Sequence, residues 1–194
     1  MNAGVGKIAE REALTAEYVR QILDYNPETG EFRWKERTPE MFEDTSQRSK
    51  NNRCAIWNGR YAGSIAGGIN GVGYRFVWVD RRRPYLAHRL AWLYMIGEWP
   101  KNEIDHIDGD SLNNRFSNLR EATRSENEHN TGVRSNNTSG YKGVCWNGKA
   151  SKWQSQIMVR RRKIYLGIFD RIEDAAAAYA KAARELHGDF ARLA

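Results

Sequence analysis

Cysteine is scarce in this chain of 194 residues; the two are Cys54 and Cys145. Neither has a second cysteine nearby, which excludes zinc sites of the Cys-x-x-Cys kind. Structural disulfides are rare inside cells, so both are read as free, inert thiols. Long hydrophobic runs are also lacking. The longest, such as LAWLYMIG at 90–97, are far too short to cross a bilayer. The opening, MNAGVGKIAERE, has no apolar core of the kind a secretory signal needs. These absences lead us to expect a soluble, intracellular, non-secreted protein with no membrane contact.

What is present is enough to build a core. Hydrophobic residues make up 40% of the chain and seven are tryptophan, so a folded protein is expected. The formal charge of +7 is unevenly placed. Residues 133–194 hold twelve Lys or Arg against five Asp or Glu, whereas residues 1–132 balance at 19 each. A neutral body joined to a basic C-terminal module that meets a polyanion is the organisation this implies.

Helical spacing over 12–25 predicts a helix with Thr15 as N-cap and Asn26-Pro27 as its end. PETGEFRWK reads as a turn and a short strand at 31–35, and the polar stretch 36–60 as a loop. RYAGSIAGGINGVGYRFVWVD predicts short strands ending in a hairpin whose turn spans 80–84. YLAHRLAWLYMIGEW follows as a helix ending near Gly97. The small polar residues of GVRSNNTSG, 132–140, are the best linker candidate and fall where the charge balance changes.

The acidic stretch EIDHIDGD, 103–110, stands out in a basic chain. It is not a calcium loop, because Leu112 and Leu119 would occupy ligand positions that need oxygen. Asp108-Gly109-Asp110 has the composition of a turn. Asp105 and His106 lie before that turn, on a predicted strand with Ile104 and His106 on one face and Asp105 on the other. A second strand is predicted around 118–122. The T-x-x-E pair Thr123 and Glu126 caps a helix whose first turn ends near Asn127. His129, His187 and the arginines beside the loops are read as solvated surface groups.

These pieces, HRLAWLY, IDHIDGD, NNRFSNLREAT and SEN, resemble the HNH endonucleases with the ββα-metal fold, in the subgroup found in phages and homing endonucleases. The segments DYNPETGEFRWK and GYRFVWV also look like the N-terminal flank of that group. The resemblance implies His106 as general base, Asp105 and Asn127 as ligands of one divalent metal, and Asn118 as the central Asn bracing the loop. His88 and Arg115 are candidate supporting residues. Two oxygen ligands favour a hard ion, Mg²⁺ or Mn²⁺. An imidazole, whose ordinary pKa is about 6.5, suits the activation of water for phosphodiester hydrolysis.

Residues 139–194 read as three strands, YKGVCW, KWQSQIMV and KIYLGIF, and a helix with Asp170 as N-cap and Gly188 past its end. SGYKGV, Trp153, YLGIFD, EDAAAAY and AARELHG resemble the Apetala-2/ethylene-response-factor DNA-binding domain. By that resemblance Lys142, Trp146, Lys152, Trp153, Arg160, Arg161 and Arg162 are the candidate DNA contacts. Trp153 reads equally well as core. The first strand lacks the several arginines of the plant members, so their base preference does not carry over.

The expected fold class is α+β: a flank over 1–85, an HNH core over 86–132, a linker at 133–140, and a three-stranded antiparallel sheet packed on one helix over 141–194. The expected function is metal-dependent nicking or cutting of double-stranded DNA in the cytoplasm of a phage-infected host, with no obligate protein partner. The alternative is a DNA-binding regulator without catalysis.

Overall fold

The structure is a computed structural model that describes residues 14–79, 83–133, 135–160 and 162–193. Helices and strands mix along the chain, as an α+β protein requires. The chain divides into two compact units between Glu121 and Ala122. Among the described residues no helix is long and apolar enough to cross a membrane.

The first unit opens with helix α1, Ala16–Ile22, capped by the Thr15 side chain on the Tyr18 N–H. The helix is shorter than its apolar spacing predicts. At Leu23 the period changes from helical to alternating, and Leu23–Asn26 forms strand β1 with Leu23 and Tyr25 buried. Strand β1 pairs antiparallel with β2, Glu31–Trp34, matching Leu23 to Trp34 and Tyr25 to Phe32. The helix therefore stops because Leu23 and Tyr25 bury one face of a hairpin, not because of Pro27.

The polar stretch after β2 is not one loop. It holds a short 3₁₀ turn at Pro39–Met41 and helix α2, Lys50–Tyr61, capped by Ser49 on the Asn52 N–H. Only Cys54 of α2 is fully buried, so the sequence carries little amphipathic signal for it. Strands β3, Gly68–Ile69, β4, Arg75–Val79, and β5, Arg83–Leu86, form an antiparallel sheet. Residues 80–82 of the predicted hairpin turn lie outside the described residues.

Helix α3, Ala87–Ile96, ends where expected, at Gly97 with φ of 93°. That left-handed conformation suits glycine at a helix end. Strands β6, Glu103–His106, and β7, Leu119–Ala122, pair with each other. Val19, Ile22, Leu23, Phe32, Val77, Leu90 and Leu93 form the centre of one core, and Ile104 of β6 and Leu119 of β7 join it. The strand carrying Asp105 and His106 is thus anchored through its own apolar neighbour.

The second unit begins with helix α4, Arg124–His129, and its N-terminus has the full Thr123/Glu126 capping box. Strands β8, Val144–Asn147, β9, Lys152–Val159, and β10, Arg162–Phe169, form an antiparallel sheet in the order β10-β9-β8. Helix α5, Ile172–His187, packs on it through Tyr179, Ala182 and Ala183 against Ile157. The N-cap of α5 is Arg171, without a side-chain cap, and not Asp170. Asp170 instead takes an ion pair with Lys152 Nζ at 2.9 Å. Leu186, in the last turn of α5, is exposed.

Candidate active site

Asp105 and His106 end strand β6, and both are almost fully buried, at 4% and 6% exposure. The strand's alternation sends their side chains to opposite sides, so each meets a different environment. Asp105 Oδ2 accepts a hydrogen bond from Arg120 Nε at 2.8 Å, and Arg120 Nη2 approaches the same oxygen as an ion pair at 2.7 Å. Arg120 comes from β7, the strand paired with β6. By sequence alone Arg120 reads as one of the solvated arginines beside the loops, whereas here it is held by Asp105.

The His106 imidazole has Nε2 3.2 Å from Asn114 Oδ1. Asn114 is 1% exposed, and its Nδ2 donates to the Leu112 carbonyl at 3.2 Å. Because the amide nitrogen is engaged there, Oδ1 must be the atom facing His106. In the neutral ring this contact has Nε2–H donating to Asn114 Oδ1, which leaves Nδ1 as the acceptor nitrogen. Asn114 was missed in the sequence, where it reads as half of an Asn-Asn doublet in a loop; nothing in its spacing marks it as buried.

The loop between β6 and β7 is held from two sides. Internally, Asn118 accepts from the Asp108 N–H at 3.1 Å and donates to Asp108 Oδ1 and to the Asn113 carbonyl at 2.9 and 2.8 Å. Asp108 also accepts from the Asp110 N–H, and Asp110 from the Leu112 N–H, so the acids after His106 build successive turns. Burial opposes ionisation of Asp108, but hydrogen bonds from Asn113, the Asp110 backbone and Asn118 outweigh it and hold its pKa below the ordinary value.

From outside, the β1–β2 hairpin holds the same loop. Tyr25 donates its hydroxyl to the Asn114 carbonyl at 2.7 Å, and the Phe116 N–H donates to the Pro27 carbonyl at 3.0 Å. Gly30, at φ of 75°, lies so close that a Cβ there would fall 2.3 Å from the Asn114 carbonyl carbon. The DYNPETG turn is therefore a template for the loop that orients His106.

His88 of α3 is 6% exposed and sets its ring perpendicular to that of His106, with centroids 5.0 Å apart. Tyr74 contacts both rings, at 5.5 and 6.2 Å. Burial, then the charges of His106 and Arg89, push the His88 pKa down to about 3. His88 is thus a neutral wall at ordinary pH and no proton carrier. Arg115 is exposed.

Asn127 belongs to the second unit, on α4. Among the described residues no group of three or more His, Cys, Asp or Glu converges on a common point.

A family model described as HNH endonuclease matches residues 85–129. Protein 3.8 of Escherichia phage T7 is 38% identical over 107 residues, covering 55% of this chain and 88% of that protein. This chain belongs to the family of that phage protein. Its HNH domain runs from β5 through α3, the β6–β7 pair and α4, and a DNA substrate follows from that domain.

The candidate DNA contacts of the second unit do not share one face. Ser155 and Ile157 point toward α5, and by strand alternation and register Trp153, Trp146 and Arg162 lie on that side of the sheet. Trp146 and Trp153 meet edge to face at 5.1 Å, beyond the packed centre, with Trp146 half exposed. Lys152, Gln154, Gln156, Met158 and Lys163 occupy the opposite face. Arg160 stands in the turn between β9 and β10 with φ of 46°, and Arg161 lies outside the described residues.

Lys142 is turned inward. Its ammonium donates to the His129 and Thr131 carbonyls at 2.6 Å each, and burial followed by the Arg192 charge lowers its pKa. His129 and His187 are not free surface groups, because their rings stack 3.6 Å apart and both are partly buried.

Proposed function

We propose that this protein is a divalent-metal-dependent DNA endonuclease that nicks or cuts double-stranded DNA, with His106 as the general base. The single observation that carries the reading is the buried His106–Asn114 contact, which gives the imidazole the tautomer a base needs. Nδ1 takes a proton from water as that water attacks phosphorus and the P–O3′ bond breaks, while Asn114 Oδ1 accepts from Nε2–H throughout, keeping the ring in place as its charge develops. Tyr25, Gly30 and Asn118 position this pair by fixing the loop.

By the family resemblance, Asp105 and Asn127 would hold the metal, with Mg²⁺ or Mn²⁺ the fitting ion. The chemistry of the donor set agrees, since a buried carboxylate and an amide oxygen are hard ligands, and Mg²⁺ keeps several waters. When bound, the ion supplies charge stabilisation at the phosphate and the leaving 3′ oxygen. Arg120 balances the Asp105 charge. The second unit, as an Apetala-2/ethylene-response-factor-like module over 141–194, would anchor the enzyme, with Lys152, Trp146, Arg160 and Arg162 as contacts to test.

The test is plasmid relaxation by purified protein with Mg²⁺, with EDTA and with His106→Ala. Nicking in the first condition alone supports the reading. Equal behaviour in all three ends it, and DNA retardation without nicking points to a regulator instead.

A further inference from the structure

Outside the HNH residues, the first unit contains an open cleft of about 1050 Å³ between the residues after β2, helix α2 and strand β4. Its walls are mostly aromatic. Trp34 and Trp57 meet edge to face at 5.6 Å, Tyr61 lies 5.4 Å from Trp57, and Trp78 of β4 is half exposed at 51%. Exposed tryptophan next to further aromatic rings is uncommon on a protein surface without a ligand.

Guanidinium groups are built into the same wall. Arg37 lies over the Trp57 ring at 4.2 Å and beside Trp34 at 5.6 Å. Its backbone is clamped by Asn58, which accepts from the Arg37 N–H and donates to the Arg37 carbonyl, both at 2.9 Å, while Cys54 Sγ also donates to that carbonyl. Arg53 donates to the Glu43 carbonyl, which fixes the opposite rim. Glu43 is the one acidic side chain among the described lining residues.

Helix α2 extends the pattern. It has no acidic residue, and Lys50, Arg53, Trp57 and Tyr61 recur at positions that fall on a single helical stripe. Two cations followed by two rings along one line offer phosphate-binding groups at one end of the stripe and stacking groups at the other. Base stacking on aromatic side chains tolerates any sequence, and arginine adds cation–π and phosphate contacts.

We propose that this cleft binds an unpaired segment of DNA, stacking at least one unstacked base on Trp57, Tyr61 and Trp78 and holding its phosphates with Arg37 and Arg53. The cleft thereby grips a strand that is frayed, displaced or flipped out beside the duplex the enzyme acts on. The choice of DNA over another anionic ligand rests on the nuclease reading. The cleft itself is composed of residues before the HNH match.

Binding is tested on the full chain in EDTA, so that cleavage plays no part. A fluorescent short oligothymidylate and a blunt duplex of equal length are titrated by anisotropy against wild type and Trp78→Ala/Tyr61→Ala. Both residues are exposed, at 51% and 37%, so the double variant should fold, which a circular-dichroism melt checks. The expected result is a loss of about tenfold or more for the single strand, the scale set by one stacked base, with duplex affinity unchanged. Equal single-strand affinity in the two proteins overturns the proposal. A second measurement needs no variant: photocrosslinking of an oligonucleotide containing iodouracil should map to residues 34–78. Crosslinks confined to 142–163, or saturable binding of a proline-rich peptide that the oligonucleotide does not displace, also overturn it. Because no step depends on catalysis, these outcomes stand apart from the plasmid assay.

Discussion

Asn114 presents its side-chain oxygen to Nε2 of His106 across 3.2 Å, with its own amide nitrogen tied to the Leu112 carbonyl. The orientation of one buried amide thus sets which imidazole nitrogen is basic. Asn114→Ala should lower kcat by about a hundredfold, the scale of a general base that loses its alignment, with KM changed far less. Asn114→Asp should move the acid limb of the pH–rate profile upward, because a carboxylate stabilises the imidazolium. A pH–rate profile of the three proteins checks both, and superimposable profiles would remove Asn114 from the mechanism.

The Asp105–Arg120 pair predicts a link between metal and stability. Arg120→Met takes away the cation that balances a nearly buried carboxylate, a change worth about 3–5 kcal/mol when one partner of a buried pair is lost. Millimolar Mg²⁺ should then raise Tm more in Arg120→Met than in wild type, since the ion replaces the missing charge. Thermal melts with and without Mg²⁺ decide this, and identical shifts in both proteins would count against Asp105 as a ligand.

His88 makes the fold sensitive to acid. Its pKa falls from an ordinary 6.5 to about 3 through burial and the charges of His106 and Arg89, so the unfolded chain binds the proton more tightly. The stability it contributes is fully present above about pH 6.5 and drains away as pH falls toward 3. Between pH 6.5 and 5 that loss is about 2 kcal/mol. Urea titrations should show a flatter pH dependence in His88→Phe over this interval; an unchanged slope would refute the assignment.

Gly30 should not tolerate a side chain. A Cβ there meets the Asn114 carbonyl carbon at 2.3 Å, and φ of 75° adds left-handed strain. Gly30→Ala is expected to destabilise the first unit by about 2 kcal/mol or more and to reduce nicking as the loop shifts. Tyr25→Phe deletes the hydroxyl donated to the Asn114 carbonyl and should cost about 1 kcal/mol. Denaturant midpoints beside nicking rates separate the two effects; wild-type behaviour in both variants would mean the hairpin does not brace the loop.

Much of this protein is legible in its residues. The Thr15 cap, the Gly97 stop, the Thr123/Glu126 capping box and the strands carrying Asp105 and Arg120 are all written locally, because caps and alternation act over a few residues. The grouping of Asp105, His106, Asn118 and Asn127 came instead from the resemblance of their motifs to the HNH endonucleases. Helix α2 was not legible, since it is polar along most of its length, fully buries only Cys54, and turns Arg53, Trp57 and Tyr61 to a cleft instead of a core. The end of α1 was misplaced because Leu23 and Tyr25 satisfy helical spacing and strand alternation equally, and their pairing with Trp34 and Phe32 settled the matter.

By itself the sequence determined which chemical groups are available and roughly where along the chain the elements begin and end. Tertiary structure alone decided what those groups do to each other. It put Arg120 on Asp105, turned Asn114 inward to orient His106, laid the neutral ring of His88 against it, and used a distant hairpin to hold the loop. The reason is physical: caps and turns depend on neighbours a few residues away, whereas the partner of a buried polar group is whichever atom the fold carries to it.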